Sequence, residues 1–235
     1  MDIKCCSQDD RDYPILMKGI KNPPKKIYYC GNIGIINDNP CLAIVGSRKA
    51  SENSLKVAYE YGRIAAKCEY VTVNGLAIGC DTQALRGALS LGGECVVVMP
   101  GGLDEIYPKS NEELAKEIVD AGGCIISEYE VGVRPRNYTF VQRDRIQSGI
   151  SKGVVVVETS LEGGTMHTVE FAESQRKRFA VYYSKMIEIS SGNKELLKQG
   201  RAVPVEDDQS MEKFLERVAE DRIETYEQMT FDFLK

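Results

Sequence analysis

Five short apolar runs, at 42–45, 71–73, 95–99, 124–127 and 154–157, set the terms on which this chain folds. Each is rich in β-branched residues and continuous rather than alternating, the pattern of strands covered on both faces. Between them lie stretches with helical spacing, at 51–67, 81–91 and 111–121, two of them stopped by Gly92-Gly93 and Gly122-Gly123. A strand followed by a helix of that length returns to the sheet by a right-handed crossover and pairs in parallel. The expected fold is therefore α/β: a doubly wound, mostly parallel sheet of extended Rossmann-like type. At 235 residues the chain is long enough to bury such a core.

The flanks read differently. Residues 1–40 are punctuated by Pro14, Pro23-Pro24 and Pro40 and read as a lead-in extension, with Ile27-Tyr28-Tyr29 as a short edge strand. Residues 41–209 form the main domain. Residues 210–235 read as a helix over 210–220 followed by a tail. No apolar run reaches membrane-spanning length, and the polar start, Met1 to Asp12, lacks a signal-peptide core, so a cytoplasmic protein with no membrane contact is expected. The eight cysteines form no C-x-x-C pair and read as reduced, mostly buried thiols rather than metal ligands.

In doubly wound sheets, ligands bind beyond the carboxyl ends of the strands. Three glycine turns fall there. Gly46-Ser47-Arg48 offers close backbone approach, a hydroxyl and a guanidinium for a phosphate. Asn74-Gly75 through Gly79-Cys80-Asp81 has the same logic, with Asp81 expected to cap the next helix. Gly163-Gly164-Thr165 through Thr168 aims amides and hydroxyls at the same edge, and His167, the single histidine, reads as a surface residue. Gly101-Gly102 closes the run 95–99. The fingerprint G-x-G-x-x-G does not follow the first run, and no nucleophile–base set can be assembled, so binding without chemistry and without a cofactor is expected.

The segment 134–145 reads as a basic-aromatic loop, in which Arg134, Arg136, Arg143 and Arg145 surround Tyr138 and Phe140. Arginines neutralise phosphates and aromatic faces stack on unpaired bases, which suits single strands. The net charge of −5 confines any such site to a local patch on an acidic body.

Taken in order, these segments resemble the DprA/Smf family, from about Tyr13 to about Val205. The resemblance is carried by Tyr13-Pro14, Asn22-Pro23-Pro24, Ile44-Val45-Gly46-Ser47-Arg48 and Asn74-Gly75-Leu76-Ala77-Ile78-Gly79-Cys80-Asp81. It continues through Gly101-Gly102-Leu103-Asp104 with Tyr107-Pro108, Ser127-Glu128-Tyr129, and Phe140-Val141-Gln142-Arg143-Asp144-Arg145-Ile146. The resemblance implies a protein that binds and protects single-stranded DNA and helps load a RecA-type recombinase in recombination, repair or transformation, usually as a homodimer. On these positions, Gly46, Ser47 and Arg48 would hold a phosphate, Phe140 would stack on or shape the base site, and Arg143 and Arg145 would lie beside it. The chain departs from the pattern at Asp144, which replaces the central asparagine of R-N-R. It also departs at Asn74, Cys80, Gln83-Ala84 and Tyr182-Tyr183, and no winged-helix segment is expected at its C-terminus.

Nucleotide-cleaving enzymes of the LOG type are similar as well, but their G-T-x-x-E motif would place Thr168 where the catalytic acid belongs, leaving only Glu158 or Glu170 to substitute. The tail Gln228-Met229-Thr230-Phe231-Asp232-Phe233 resembles the peptide with which replication and repair proteins dock on a sliding clamp. Gln228 would enter a polar notch, and Met229, Phe231 and Phe233 apolar pockets.

Overall fold

The computed structural model describes residues 2–233, with side chains over 2–220. Nine strands form one sheet in the order β1-β2-β6-β5-β4-β3-β7-β8-β9. The central five are β3 (Cys41–Val45), β4 (Val71–Asn74), β5 (Cys95–Val98), β6 (Cys124–Ser127) and β7 (Gly153–Val156), the five apolar runs. With β8 (Arg178–Tyr182) and β9 (Val203–Val205) they make a seven-stranded parallel sheet.

The expected doubly wound arrangement is present. Odd residues of β3 (Cys41, Ala43, Val45) face one layer, built from α1 (Ile35–Asp38), α5 (Asn137–Ile150), α6 (Thr165–Ser174) and α7 (Ser191–Lys198). Even residues, Leu42 and Ile44, face the other layer, built from α2 (Glu52–Lys67), α3 (Cys80–Leu89), α4 (Glu112–Asp120) and α8 (Asp208–Phe233). Both faces are covered, which is why the strands read as unbroken apolar runs. Within the second layer α2 and α3 touch backbone to backbone. A Cβ on Gly62 would lie 2.0 Å from the Ala84 oxygen, and one on Gly87 would lie 1.9 Å from the Tyr59 oxygen. Glycine at both positions is a packing requirement of this contact.

Three expectations are corrected. The segment 1–40 is woven into the sheet rather than laid on it. β1 (Lys4–Ser7) and β2 (Lys26–Gly31) extend the parallel sheet antiparallel, and Tyr13, Met17 and Ile20 are buried in the core. Tyr28 and Tyr29 therefore lie one strand in from the edge, since β1, too polar to read as a strand, covers them. The basic-aromatic segment is a helix from Asn137 onward, and nine of its residues are buried, among them Arg143, Asp144, Arg145, Gln147 and Ser148. It lacks the apolar stripe by which a helix is recognised, because polar partners receive much of its buried face. Finally, α8 begins earlier than expected and places Met211, Phe214, Leu215 and Val218 in the core.

Among the described residues no helix is long and apolar enough to cross a membrane, and no group of side chains could hold a metal ion. Cys6, Cys30, Cys41, Cys80, Cys95 and Cys124 are buried free thiols, Cys68 is half-buried and Cys5 is exposed.

Candidate nucleic-acid interface

The chain leaves β3 to build β4, β5 and β6 on one side, then returns to place β7 on the other. The turns after β3 and β7 consequently diverge, and the crevice between them is where such sheets bind ligands. A cleft of about 680 Å³ opens there, a size suited to a small ligand or one nucleotide of a chain. Of the residues expected at the site, Gly46, Ser47, Arg48, Phe140, Arg143, Gly163, Gly164, Thr165 and Thr168 line it.

The first turn is held from behind. The Cys80 N–H donates to the Ser47 carbonyl (3.2 Å), and the Lys49 N–H donates to the Ser47 hydroxyl (3.1 Å). A Cβ on Gly46 would lie 2.6 Å from the Cys80 sulfur, so this glycine seats the turn on α3. Arg48 emerges from the turn exposed, and its guanidinium carbon sits 5.1 Å from the centre of the Phe140 ring. The Tyr107 ring meets Phe140 edge-on at 5.5 Å. Phe140, expected to receive a base, thus carries the arginine on its face, which restrains a long side chain at the cleft mouth. Lys49 is exposed beside it. On the far wall, Gly164 has open space where a Cβ would be, and Thr165, His167 and Thr168 open α6.

The second glycine turn is scaffold. Asn74 is fully buried. Its amide nitrogen donates to the carbonyls of Asp81 (3.0 Å) and Ile44 (3.4 Å), and its oxygen accepts from the Leu76 N–H (3.1 Å). Gly75 has the Arg143 guanidinium lying where its side chain would be. Gly79, at φ +87°, packs against the Ser47 and Arg48 carbonyls and locks the second turn to the first. Gly101 and Gly102 pack on the segment before α5, and the Gly102 N–H donates to the Val133 carbonyl (2.8 Å). None of these five lines the cleft.

Asp81 does not cap α3, whose capping position is Gly79. It lies buried inside the first turn, and its carboxylate accepts from the N–H groups of Gly75 (3.0 Å) and Ala77 (3.3 Å). Burial pushes its carboxyl up to about 6, against the pull of Arg143 and the two amides. The folded protein therefore keeps this proton where the unfolded chain, at 3.8, has released it. The associated stability is complete below the lower value and is lost as pH rises through the upper one. Unfolding free energy is expected to fall by roughly 2–3 kcal/mol between pH 4 and pH 7 from this group alone. Denaturant titrations of the native chain and Asp81→Asn should differ in that slope.

Arg143 and Arg145 are the main corrections. Arg143 is 5% exposed. It touches the cleft only at its floor and directs its guanidinium onto the Val98 carbonyl (3.0 Å) at the end of β5. Arg145 is 7% exposed and lies outside the cleft, held by both oxygens of Glu128 at 2.9 and 2.6 Å. Arg134 pairs with Glu105, and Glu130 accepts from the Tyr28 hydroxyl. The basic cluster of the sequence is therefore split, with Arg143 and Arg145 internal and Arg134 and Arg136 exposed, and the exposed basic groups lining the cleft are Arg48 and Lys49.

Sequence reasoning missed Tyr107, Asn137, Gln147 and Thr159 as lining residues. The pairing of Tyr107 with an aromatic thirty-three positions away left no local signal. Neither Glu158 nor Glu170, the two carboxylates that could substitute for a catalytic acid at Thr168, lines the cleft. Glu158 accepts from the N–H and hydroxyl of Ser51, and Glu170 is exposed beside His167. The tail residues Gln228, Met229, Phe231 and Phe233 lie outside the residues whose side chains are described.

A family model for DNA recombination-mediator protein A matches residues 4–218. Protein Smf of Synechocystis is 33% identical over 205 residues, 86% of this chain and 51% of that one. The DNA processing protein DprA of Streptococcus pneumoniae is 35% identical over 192 residues, 81% of this chain and 67% of its own. This chain thus spans about half the length of the Synechocystis relative. Among solved structures, DNA processing protein A of Helicobacter pylori, described for its single-stranded DNA binding mode, superposes with a TM-score of 0.82 at 29% identity. That match covers 92% of this chain and 97% of the other. With a family model matched over most of its length and relatives 33–35% identical across more than four-fifths of it, the chain belongs to the DNA recombination-mediator protein A family, that of DprA and Smf.

Proposed function

We propose that the cleft beyond β3 and β7 grips the phosphodiester backbone of single-stranded DNA and breaks no bond in it. The observation that carries this reading is Arg48, held over Phe140 at the mouth of a crevice whose walls are glycine turns and hydroxyls. An always-charged, planar, preoriented guanidinium suits a phosphate. The binding described for the H. pylori relative supports the same ligand. In this reading the protein protects unpaired strands during recombination, repair or transformation and assists a RecA-type recombinase, acting as a homodimer. Its tail, through Gln228, Met229, Phe231 and Phe233, adds a contact to a sliding clamp.

A labelled oligo-dT at low ionic strength tests the central claim. Binding that weakens steeply with added salt is expected. A protein that ignores the oligonucleotide and releases free base from a nucleoside monophosphate would be the LOG-type hydrolase instead. Phe140→Ala is expected to weaken binding by about 5-fold, because Arg48 would no longer be oriented by a partly exposed cation–π interaction of that scale. Phe140→Tyr should retain the affinity in the same titration.

A further inference from the structure

Two carboxylates, Asp81 and Asp144, line the cleft together with Arg48, Lys49 and Arg143. A phosphate entering it meets negative charge as well as positive. Asp81 is held by the N–H groups of Gly75 and Ala77. Asp144 is 8% exposed on the floor. Nε2 of Gln147 donates to its Oδ1 at 2.8 Å, and Nε of Arg143 lies 3.1 Å from the same oxygen. The cations that favour its ionised form come from three elements: Arg143 on its own helix, His167 on α6, and Arg48 in the turn after β3. Burial outweighs them and holds the carboxyl above the ordinary aspartate value, and Asp81 on α3 repels it as well. His167 has Glu170 3.7 Å away on α6. Arg48 therefore serves two anions, the phosphate expected at the mouth and the carboxylate already on the floor.

We propose that a phosphodiester entering the cleft draws a proton from solvent onto Asp144, so that the protein holds single-stranded DNA more tightly as pH falls. The inference rests on the single-stranded DNA reading and adds its regulation. Arg48 is the link. In the free protein its charge helps to keep Asp144 ionised. A phosphate that takes Arg48 satisfies that charge and brings a negative one close to a carboxylate nearly shut off from water, where fields are weakly screened. Both changes favour the neutral acid. Protonated on Oδ2, Asp144 no longer repels the phosphate and has a hydrogen to donate to it. The bound state thus keeps a proton that the free state releases. The gain in affinity is complete where the free protein already holds the proton, and is lost as pH rises until the complex releases it too. Proton and strand promote each other by the same factor. Asparagine, which stands at this position in the family pattern that the chain resembles, is neutral at every pH and has no such coupling.

The test titrates labelled oligo-dT against the full chain at constant ionic strength, by anisotropy, from about pH 8 down to about pH 5.5. Affinity is expected to rise about 10-fold over that range, the effect of moving one group by a single pKa unit. Calorimetry in two buffers of different ionisation enthalpy should show net proton uptake on binding. Asp144→Asn should bind about 10-fold more tightly than the native chain at the alkaline end, and its affinity should vary by no more than about 2-fold with pH. A residue that served only the structure would weaken binding when changed. His167→Gln should keep most of the proton uptake, whatever its effect on affinity. An affinity independent of pH, no uptake by the native chain, uptake undiminished in Asp144→Asn, or uptake abolished by His167→Gln would each overturn the assignment. The native chain and His167→Gln decide the matter even if Asp144→Asn does not fold. Absence of oligo-dT binding at every pH would instead remove the single-stranded DNA reading on which the inference stands.

Discussion

Arg48→Ala is expected to weaken oligo-dT binding by about 10- to 100-fold at moderate salt, the range expected when alanine removes a charge-assisted hydrogen bond. The slope of log affinity against log salt should shrink by about 0.7, one phosphate's share on a single strand. The fold should be untouched, because Arg48 is exposed and its contact is with the face of Phe140. Arg48→Lys separates charge from shape. A lysine restores the counterion term but not the planar guanidinium that lies on the ring and forks onto a phosphate, so the slope should recover while affinity recovers only in part. Filter binding or anisotropy over a salt series measures both. An unaltered slope in Arg48→Ala would mean that this arginine faces no phosphate, and the cleft would need another ligand.

The opposite result is expected at Arg145, which lies four positions beyond Val141 in a segment that looks equally basic in sequence. Arg145→Ala should lower stability by about 3–5 kcal/mol, because Glu128 would be left charged, largely buried and unpaired. The two side chains are 9% and 15% exposed and meet through two short hydrogen bonds. Arg145 also donates to the Gln142 carbonyl, so the variant frees an acceptor inside α5 as well. For a chain of this size the loss corresponds to a fall in melting temperature of about 6–20 °C. The double variant Arg145→Met with Glu128→Leu should recover much of it, since removing both charges removes the desolvation cost of each. Where the single variant stays folded, its salt slope for oligo-dT should equal that of the native chain. A stable Arg145→Ala protein with a reduced slope would place this arginine on DNA and refute its structural assignment.

This contrast marks how far local sequence carries. The five parallel strands were legible because strands covered on both faces need unbroken apolar runs, and the glycine pairs after 91 and 121 mark helix ends chemically. The Gly46-Ser47-Arg48 and Gly163–Thr168 turns were legible because strand ends in a doubly wound sheet are where ligands bind, whatever the ligand is. β1 was not legible. Two of its four residues are exposed, and it exists because β2 offers it an edge. Helix α5 was not legible either, since its buried face is polar. It is stabilised by Val98, Glu128 and Gln175, none of which is near it in sequence.

Sequence by itself determined the layered α/β architecture and the two turns that frame the cleft, because hydrophobic periodicity and glycine placement act within a few residues. Only the tertiary structure decided which arginine meets solvent and which meets a carboxylate. Charge in a sequence says nothing of its partner, and a guanidinium is a ligand-binding group or a piece of the core according to what the fold brings opposite it.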